Sequence, residues 1–287
     1  MASTKLTVLG SGSVGNATLL QCDEGGVLID AGLSYRQVAA RLCDTGFSPE
    51  RVKGIVLTHA HGDHTRGAAL FSRKHAVPVY ATEAVRADLG DADVSEWRQL
   101  RVGRQHDLIG LRFQPFAIPH DASETVAFRI ETADGTIGFA TDIGVMTRAL
   151  IEYFRNCRVL VVESNHATEL LRVSPYDRST RARIAGATGH LSNESLADFI
   201  RNDLGRAVRC LVLVHLSRVN NVPEIAEMTC REALVACGRE SVRVVVARQD
   251  TIAPTVDLGV WATRVPRAAQ RTQTRLPFDS APTTAVP

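Results

Sequence analysis

The run His59-Ala60-His61-Gly62-Asp63-His64 follows directly on the apolar, strand-like segment GIVLT (54–58) and puts four ligand-capable side chains into six residues. Groups this polar are not buried cheaply unless something pairs them. His59 and His61 have the spacing of alternate residues in an extended segment and can grip one cation. Gly62 then allows the chain to turn, so that Asp63 and His64 face a second position. A helical zinc-protease motif does not match, because it requires His-Glu-x-x-His, whereas His-x-His here has strand spacing. Without a metal the run would be no more than a polar surface loop.

Outward from this loop, other apolar runs also end on metal-competent residues. FAIP leads into His120, GFAT into Asp142, VV into Glu163 and LVLV into His215. Loops after strand C-termini are where α/β proteins assemble sites, so these side chains are expected on one edge. The runs KLTVL, GVLID, GIVLT, RFQPFAI, VAFRI, TIGFA, RVLVVE, CLVLV and VRVVV read as strands. Amphipathic stretches lie between several of them, including SYRQVAARLCDTG, closed by Gly46, and SNESLADFIRNDLG, closed by Gly205. The alternation predicts an α/β fold. Hairpin-like clusters, such as 126–130 and 136–140 about the turn Asp134-Gly135, favour two mixed sheets packed together over one doubly wound parallel sheet.

The 287 residues show no internal repeat and no linker over the first 260 or so, which makes one domain the economical reading. After Thr263 the composition shifts to Arg, Gln, Thr, Ala and Pro, and 264–287 reads as a disordered, solvated tail. No run approaches the roughly 18 apolar residues of a membrane span, and no signal-peptide pattern opens the chain, so a cytoplasmic protein is expected. Six cysteines without a Cys-x-x-Cys pair read as reduced, mostly buried thiols. A net charge of +2 neither advertises nor excludes nucleic acid. Self-association into a homo-oligomer is compatible with the sequence. His75 and His106 lie in no motif and read as packing or surface residues.

The His-x-His-x-Asp-His loop resembles that of the metallo-β-lactamase fold superfamily at every fixed position. Leu28-Ile29-Asp30-Ala31-Gly32 is similar to the superfamily's first motif, His120 to its third, Asp142 in Ala-Thr-Asp-Ile-Gly to its fourth, and His215 to its last. The resemblance implies a four-layer αββα sandwich of two mixed sheets with helices on the outer faces. It also implies that His59, His61 and His120 hold one metal, that Asp63, His64 and His215 hold another, and that Asp142 bridges the two. Imidazole and carboxylate suit Zn²⁺, and Mn²⁺ tolerates the same set. The strings SGSVGNATLL, LIDAGLS, PHDA, ATDIGV, ESNH, GHLSN and HLSRVNN resemble the YycJ (WalJ) family of bacterial metallo-hydrolases over roughly the first 225 residues. That family implies 5′ to 3′ exonuclease activity on double-stranded DNA and a role in genome maintenance. Ala60, Gly62 and Ala167 depart from the residues usual there, and none of them is an expected ligand.

Further expectations concern the substrate. The loop Gly10–Asn16 is glycine-rich, so Ser11, Ser13 and Asn16 could approach a phosphate, although a plain hairpin turn fits equally well. Ser192 or Asn193 would cap a helix and add to the same phosphate site. His190 reads either as a proton donor to a leaving group or as a structural histidine, and Glu163 with His166 as a dyad at the rim. Asp63 would orient the attacking water, and a carboxylate such as Asp30 would fix histidine tautomers. Arg66, Arg172, Arg178, Arg181 and Arg183 would line a nucleic-acid channel. The rival readings are an RNA-processing nuclease, a hydrolase of a small ester, thioester or lactone, and a non-catalytic nucleic-acid-binding module.

Overall fold

The computed structural model describes residues 3–262, and the segment 264–287 read as a tail lies outside the described residues. Strands β1 (Lys5–Gly10), β2 (Ala17–Cys22), β3 (Gly25–Ile29), β4 (Val52–Val56), β5 (Val79–Ala81) and β6 (Trp97–Gln99) build a first sheet. A second contains β7 (His106–Leu108), β8 (Leu111–Ile118), β9 (Thr125–Thr132), β10 (Gly135–Ala140), β11 (Val159–Glu163), β12 (Cys210–Val214) and β13 (Arg243–Val246). The last strand, β14 (Val256–Asp257), returns to the first sheet beside β1. The orders are β14-β1-β2-β3-β4-β5-β6 and β13-β12-β11-β10-β9-β8-β7. Both sheets are mixed. Pairing is antiparallel from β14 to β3 and parallel from β3 to β6. In the second sheet it is parallel from β13 to β10 and antiparallel from β10 to β7.

Strand alternation divides the apolar runs into layers. Leu20, Val27, Ile29 and Val56 face Phe113, Phe128, Val161 and Val212 in one core between the sheets. The intervening residues Leu19, Leu28 and Ile55 join Val38, Leu42 and Phe71 of the helices Tyr35–Asp44 and Ala68–His75. Leu160, Val162 and Leu211 likewise pack against Phe154, Leu196, Ile200 and Leu234 of the helices Arg148–Phe154, Asn193–Asp203 and Pro223–Ala236. Strands covered on both faces read as continuous apolar runs, and the result is the expected four-layer sandwich.

Several local expectations are met and others are corrected. Gly135 (φ +138°) turns β9 into β10, and Gly46 (φ +77°) follows the end of the first helix. Gly205 does not close its helix in a left-handed conformation. A Cβ there would lie 2.0 Å from the Arg155 carbonyl oxygen, so close backbone approach requires the glycine. Strand β2 and the two- and three-residue edge strands were not read from sequence, being too short or too close to a glycine loop to show a period of two. All six cysteines are free thiols. Among the described residues, no helix is long and apolar enough to cross a membrane.

The 59–64 loop is fixed from below by backbone. Asn16 N–H donates to the Asp63 carbonyl (2.7 Å) and Ala31 N–H to that of His64 (2.8 Å). Gly32 lies so close that an added Cβ would sit 1.6 Å from the Asp63 carbonyl oxygen. Gly62, read as the residue that lets the loop turn, instead begins the short helix Gly62–Thr65, has no left-handed backbone and would give a Cβ nothing to meet within 4 Å. Gly32→Ala is therefore expected to cost about 2 kcal/mol or more in urea unfolding, and Gly62→Ala less than about 0.5 kcal/mol. The opposite ranking would show that the loop is not held at Gly32.

Candidate metal centre

Asp30, His59, His120, Asp142, Glu163 and His215 follow or end strands β3, β4, β8, β10, β11 and β12 and converge at one end of the two sheets. Four overlapping groups there have ligand atoms within 4.8 Å of one another: His59, His61 and His120; His59, His64 and Asp142; Asp63, His64 and His215; and Asp142, Glu163, His190 and His215. The structure thus gathers all seven residues expected as ligands. Asp142 lies between the halves, with Oδ2 3.2 Å from His64 Nε2 and Oδ1 3.7 Å from His120 Nε2. Asp30, Asp142 and His215 leave their strands with φ of 58°, 58° and 57°. Left-handed backbone costs a non-glycine residue about 1–3 kcal/mol, and it persists where the surroundings over-determine it, which is characteristic of functional sites.

The ring orientations follow from hydrogen bonds on the far side of each imidazole. Buried Asp30 accepts from Thr58 N–H (2.8 Å) and from His64 Nδ1 (2.8 Å), which leaves His64 Nε2 toward Asp63 and Asp142. Glu163, fully buried, accepts from Ile143 N–H (2.8 Å) and Leu191 N–H (3.1 Å) through Oε2. Its Oε1 lies 2.8 Å from both His190 Nδ1 and His215 Nδ1. His215 Nε2 is thereby aimed at Asp63 Oδ2, 3.4 Å away. His120 Nδ1 sits 3.3 Å from the Gly189 carbonyl, freeing Nε2 for the pocket.

Burial drives His59 and His120 toward the neutral imidazole that a metal requires, and for His59 the neighbouring His64 adds to the effect. Burial opposes the His215 imidazolium too, but Asp142, Asp63 and Glu163 override it and raise His215 to about 10. Burial would also favour a neutral Asp142, yet His215 and His64 hold it ionised well below the usual carboxylate range. The fit to a metal can be tested on one atom. His59 Nε2 is buried without a hydrogen-bond partner, a costly arrangement unless something else engages the lone pair. Its neighbours are imidazoles and carboxylates, the donor set of Zn²⁺ or Mn²⁺, so the residues present fit divalent ions.

The site opens into a cavity of about 360 Å³, whose walls include Ser13, His61, Asp121, Tyr176, Arg183 and His190. Several expected substrate contacts are corrected by burial. Ser11 Oγ donates to Asn16 Oδ1 (2.8 Å) and accepts from His215 N–H (2.8 Å), while Asn16 Nδ2 approaches His64 Nε2 (3.0 Å). Ser192 caps its helix, and Asn193 bonds Ser164 and Asn221. These four hold the loops together, and of the expected phosphate contacts Ser13 alone lines the cavity. His166 is buried, has an unpartnered Nδ1 and does not line the cavity, so the dyad of Glu163 is with His190 and His215. Of the expected channel arginines, Arg183 lines the cavity, and Arg66 donates to the Val14 carbonyl beside Ser13. His75 and His106 pair with Tyr35 and the Arg101 backbone, as packing residues do.

Asp121 was missed. Its Oδ1 lies 3.0 Å from His120 Nε2, and its Oδ2 accepts from Arg183 (2.5 Å). Its place directly after His120 was the signal. Tyr176 was also missed, because the 173–177 segment has no periodicity that would point its ring at a site.

Residues 26–216 match the model of the beta-lactamase superfamily domain. The chain is 31% identical over 231 residues, 78% of its length and 86% of the relative's, to the exodeoxyribonuclease WalJ of Streptococcus pneumoniae serotype 2. It is equally 31% identical over 232 residues, 79% of its length and 88% of the relative's, to the exodeoxyribonuclease YycJ of Bacillus anthracis. The crystal structure of the metallo-β-lactamase fold protein YhfI from Bacillus subtilis superposes with a TM-score of 0.67 at 16% identity, covering 87% of this chain and 98% of that one. That likeness concerns the fold. With the sandwich, the loop and the converging side chains in place, the chain belongs to the metallo-β-lactamase superfamily of hydrolases, among relatives of WalJ and YycJ.

Proposed function

We propose that this chain is a phosphodiesterase dependent on two divalent ions, Zn²⁺ or in its place Mn²⁺, and acts as a 5′ to 3′ exonuclease on double-stranded DNA. Its setting would be DNA maintenance or repair in the cytoplasm, with residues 1–263 as one catalytic unit. The observation that carries this reading is the convergence of seven histidine and aspartate side chains about the partnerless His59 Nε2 in a relative of two exodeoxyribonucleases. His59, His61 and His120 would hold one ion, Asp63, His64 and His215 the other, and Asp142 both. Bound there, the ions supply Lewis acidity toward a phosphodiester and lower the pKa of the attacking water.

The remaining chemistry belongs to protein side chains. Asp63, with its carboxylate held anionic by His215 and His64 against the effect of burial, accepts a hydrogen bond from the attacking water and orients it. His190 faces the cavity with Nδ1 on Glu163, which raises its basicity although burial opposes this. In its protonated form it donates from its other nitrogen to the departing 3′ oxygen, a leaving group too poor to depart unprotonated. Glu163 is a positioning residue. The segment 168–184 carries Arg172, Arg178, Arg181 and Arg183 against Glu169 and Asp177, a basic wall suited to phosphate.

Chelation is expected to abolish the shortening of both 5′-labelled and 3′-labelled duplex DNA, and metal return to restore it. Elemental analysis should find ~2 ions per chain, with Asp142→Asn losing metal and more than the roughly 10–100-fold of activity typical when a ligand's hydrogen-bond partner is removed. A wild-type protein that shortens neither end rules out the nuclease reading.

A pH series tests the charge balance of the metal-free site. His215 has a folded pKa of about 10 against an ordinary value of 6.5, so its pairing contributes fully below pH 6.5 and is lost as pH rises toward 10. The Tm of metal-free protein should fall across that window. Divalent ions replace the proton and therefore raise Tm more at the alkaline end. A metal-induced rise that shrinks with increasing pH would contradict the assignment.

A further inference from the structure

The wall of the cavity contains an aromatic ring that the hydrolytic chemistry does not use. Tyr176 is 37% exposed, yet it lines the cavity, and among the described residues neither its ring nor its hydroxyl has a partner. It is held in place all the same. Asp177 caps the helix Arg178–Ile184 by accepting from Thr180 N–H (2.8 Å), and the Arg181 guanidinium donates to the Arg172 carbonyl (2.6 Å), tying the two sides of the turn together. One helical turn or two further on, Arg183 lines the same cavity and is fixed by Asp121 through a single terminal nitrogen, so the other donors of its planar fork have no partner among the described residues. A bare aromatic face and a pre-oriented guanidinium on one cavity suit a base joined to a phosphate.

Cavity size adds a second constraint. About 360 Å³ lies at the small end of ligand pockets, a size that suits a single nucleotide. Resting on the proposed nuclease function, we propose that this wall receives the terminal nucleotide of a DNA strand in unpaired form, with its base stacked on Tyr176 and a flanking phosphate on Arg183. The enzyme would then act on duplex ends by drawing the last base out of its stack, as enzymes do when the target lies inside a helix. Tyr176 and Arg183 are binding residues here; neither touches the scissile bond.

The test uses full-length, metal-loaded protein and duplexes with a normal or an abasic 5′-terminal nucleotide. Tyr176→Ala is expected to lose about tenfold in kcat/KM on the normal end, mainly through KM, while Tyr176→Phe retains the ring and the activity. On the abasic end, wild type should fall to the level of Tyr176→Ala, and the variant should lose nothing further. Independently of turnover, fluorescence anisotropy with phosphorothioate-protected duplex should show the same pattern in affinity. Arg183→Ala should reduce the slope of log affinity against log salt by about one. Equal and additive losses from the Ala substitution and the missing base overturn the proposal while leaving the nuclease reading intact. A wild-type protein that neither binds nor degrades DNA overturns both.

Discussion

Everything at the site depends on neutralising buried charge. Asp30, Asp142 and Glu163 are almost completely withdrawn from water, as are His59, His64 and His215. A carboxylate or imidazolium in such a place is tolerated only when paired and hydrogen-bonded on every side. The protein meets the requirement in two tiers. Asp30 and Glu163, behind the rings, accept backbone N–H groups and fix the outer nitrogens of His64, His190 and His215. The inner nitrogens of His64 and His215 then point at Asp63, and that of His64 also at Asp142, where each half of the site carries complementary charge.

The two tiers explain why the loops are so polar below the surface. Ser164, Asn165, Asn193 and Asn221 bind one another and the carbonyls of neighbouring segments, including that of His215. They tie together the connections that follow β11 and β12 with the start of the helix Asn193–Asp203. Serine and asparagine serve here because a short side chain with both donor and acceptor can satisfy buried backbone in crowded loops. On the other sheet, Gly32 and Asn16 perform the equivalent task for the 59–64 loop by close approach and backbone bonding.

Much of this was legible in the sequence for a definite reason. Strands buried on both faces betray themselves as unbroken apolar runs, and the ligands sit where those runs stop, so the spacing of His59, His120, Asp142 and His215 could be read without coordinates. Side-chain direction could not. Ser11, Asn16 and Asn193 look like phosphate contacts in a string of letters, but burial turned them inward, and His166 leaves its Nδ1 without a partner while Glu163 bonds His190 and His215. Tyr176 lies in a segment with no period, where only three-dimensional placement distinguishes a cavity wall from ordinary surface.

The backbone at Asp30, Asp142 and His215 restricts what this fold can become. At φ near +57° a β-branched side chain is severely strained, whereas Gly, Asn, Asp and His are accommodated far more readily. Variation at these three corners, whether natural or in the laboratory, therefore draws on a short alphabet. New chemistry in this scaffold would be installed more readily on the cavity walls than at the corners from which the strands depart.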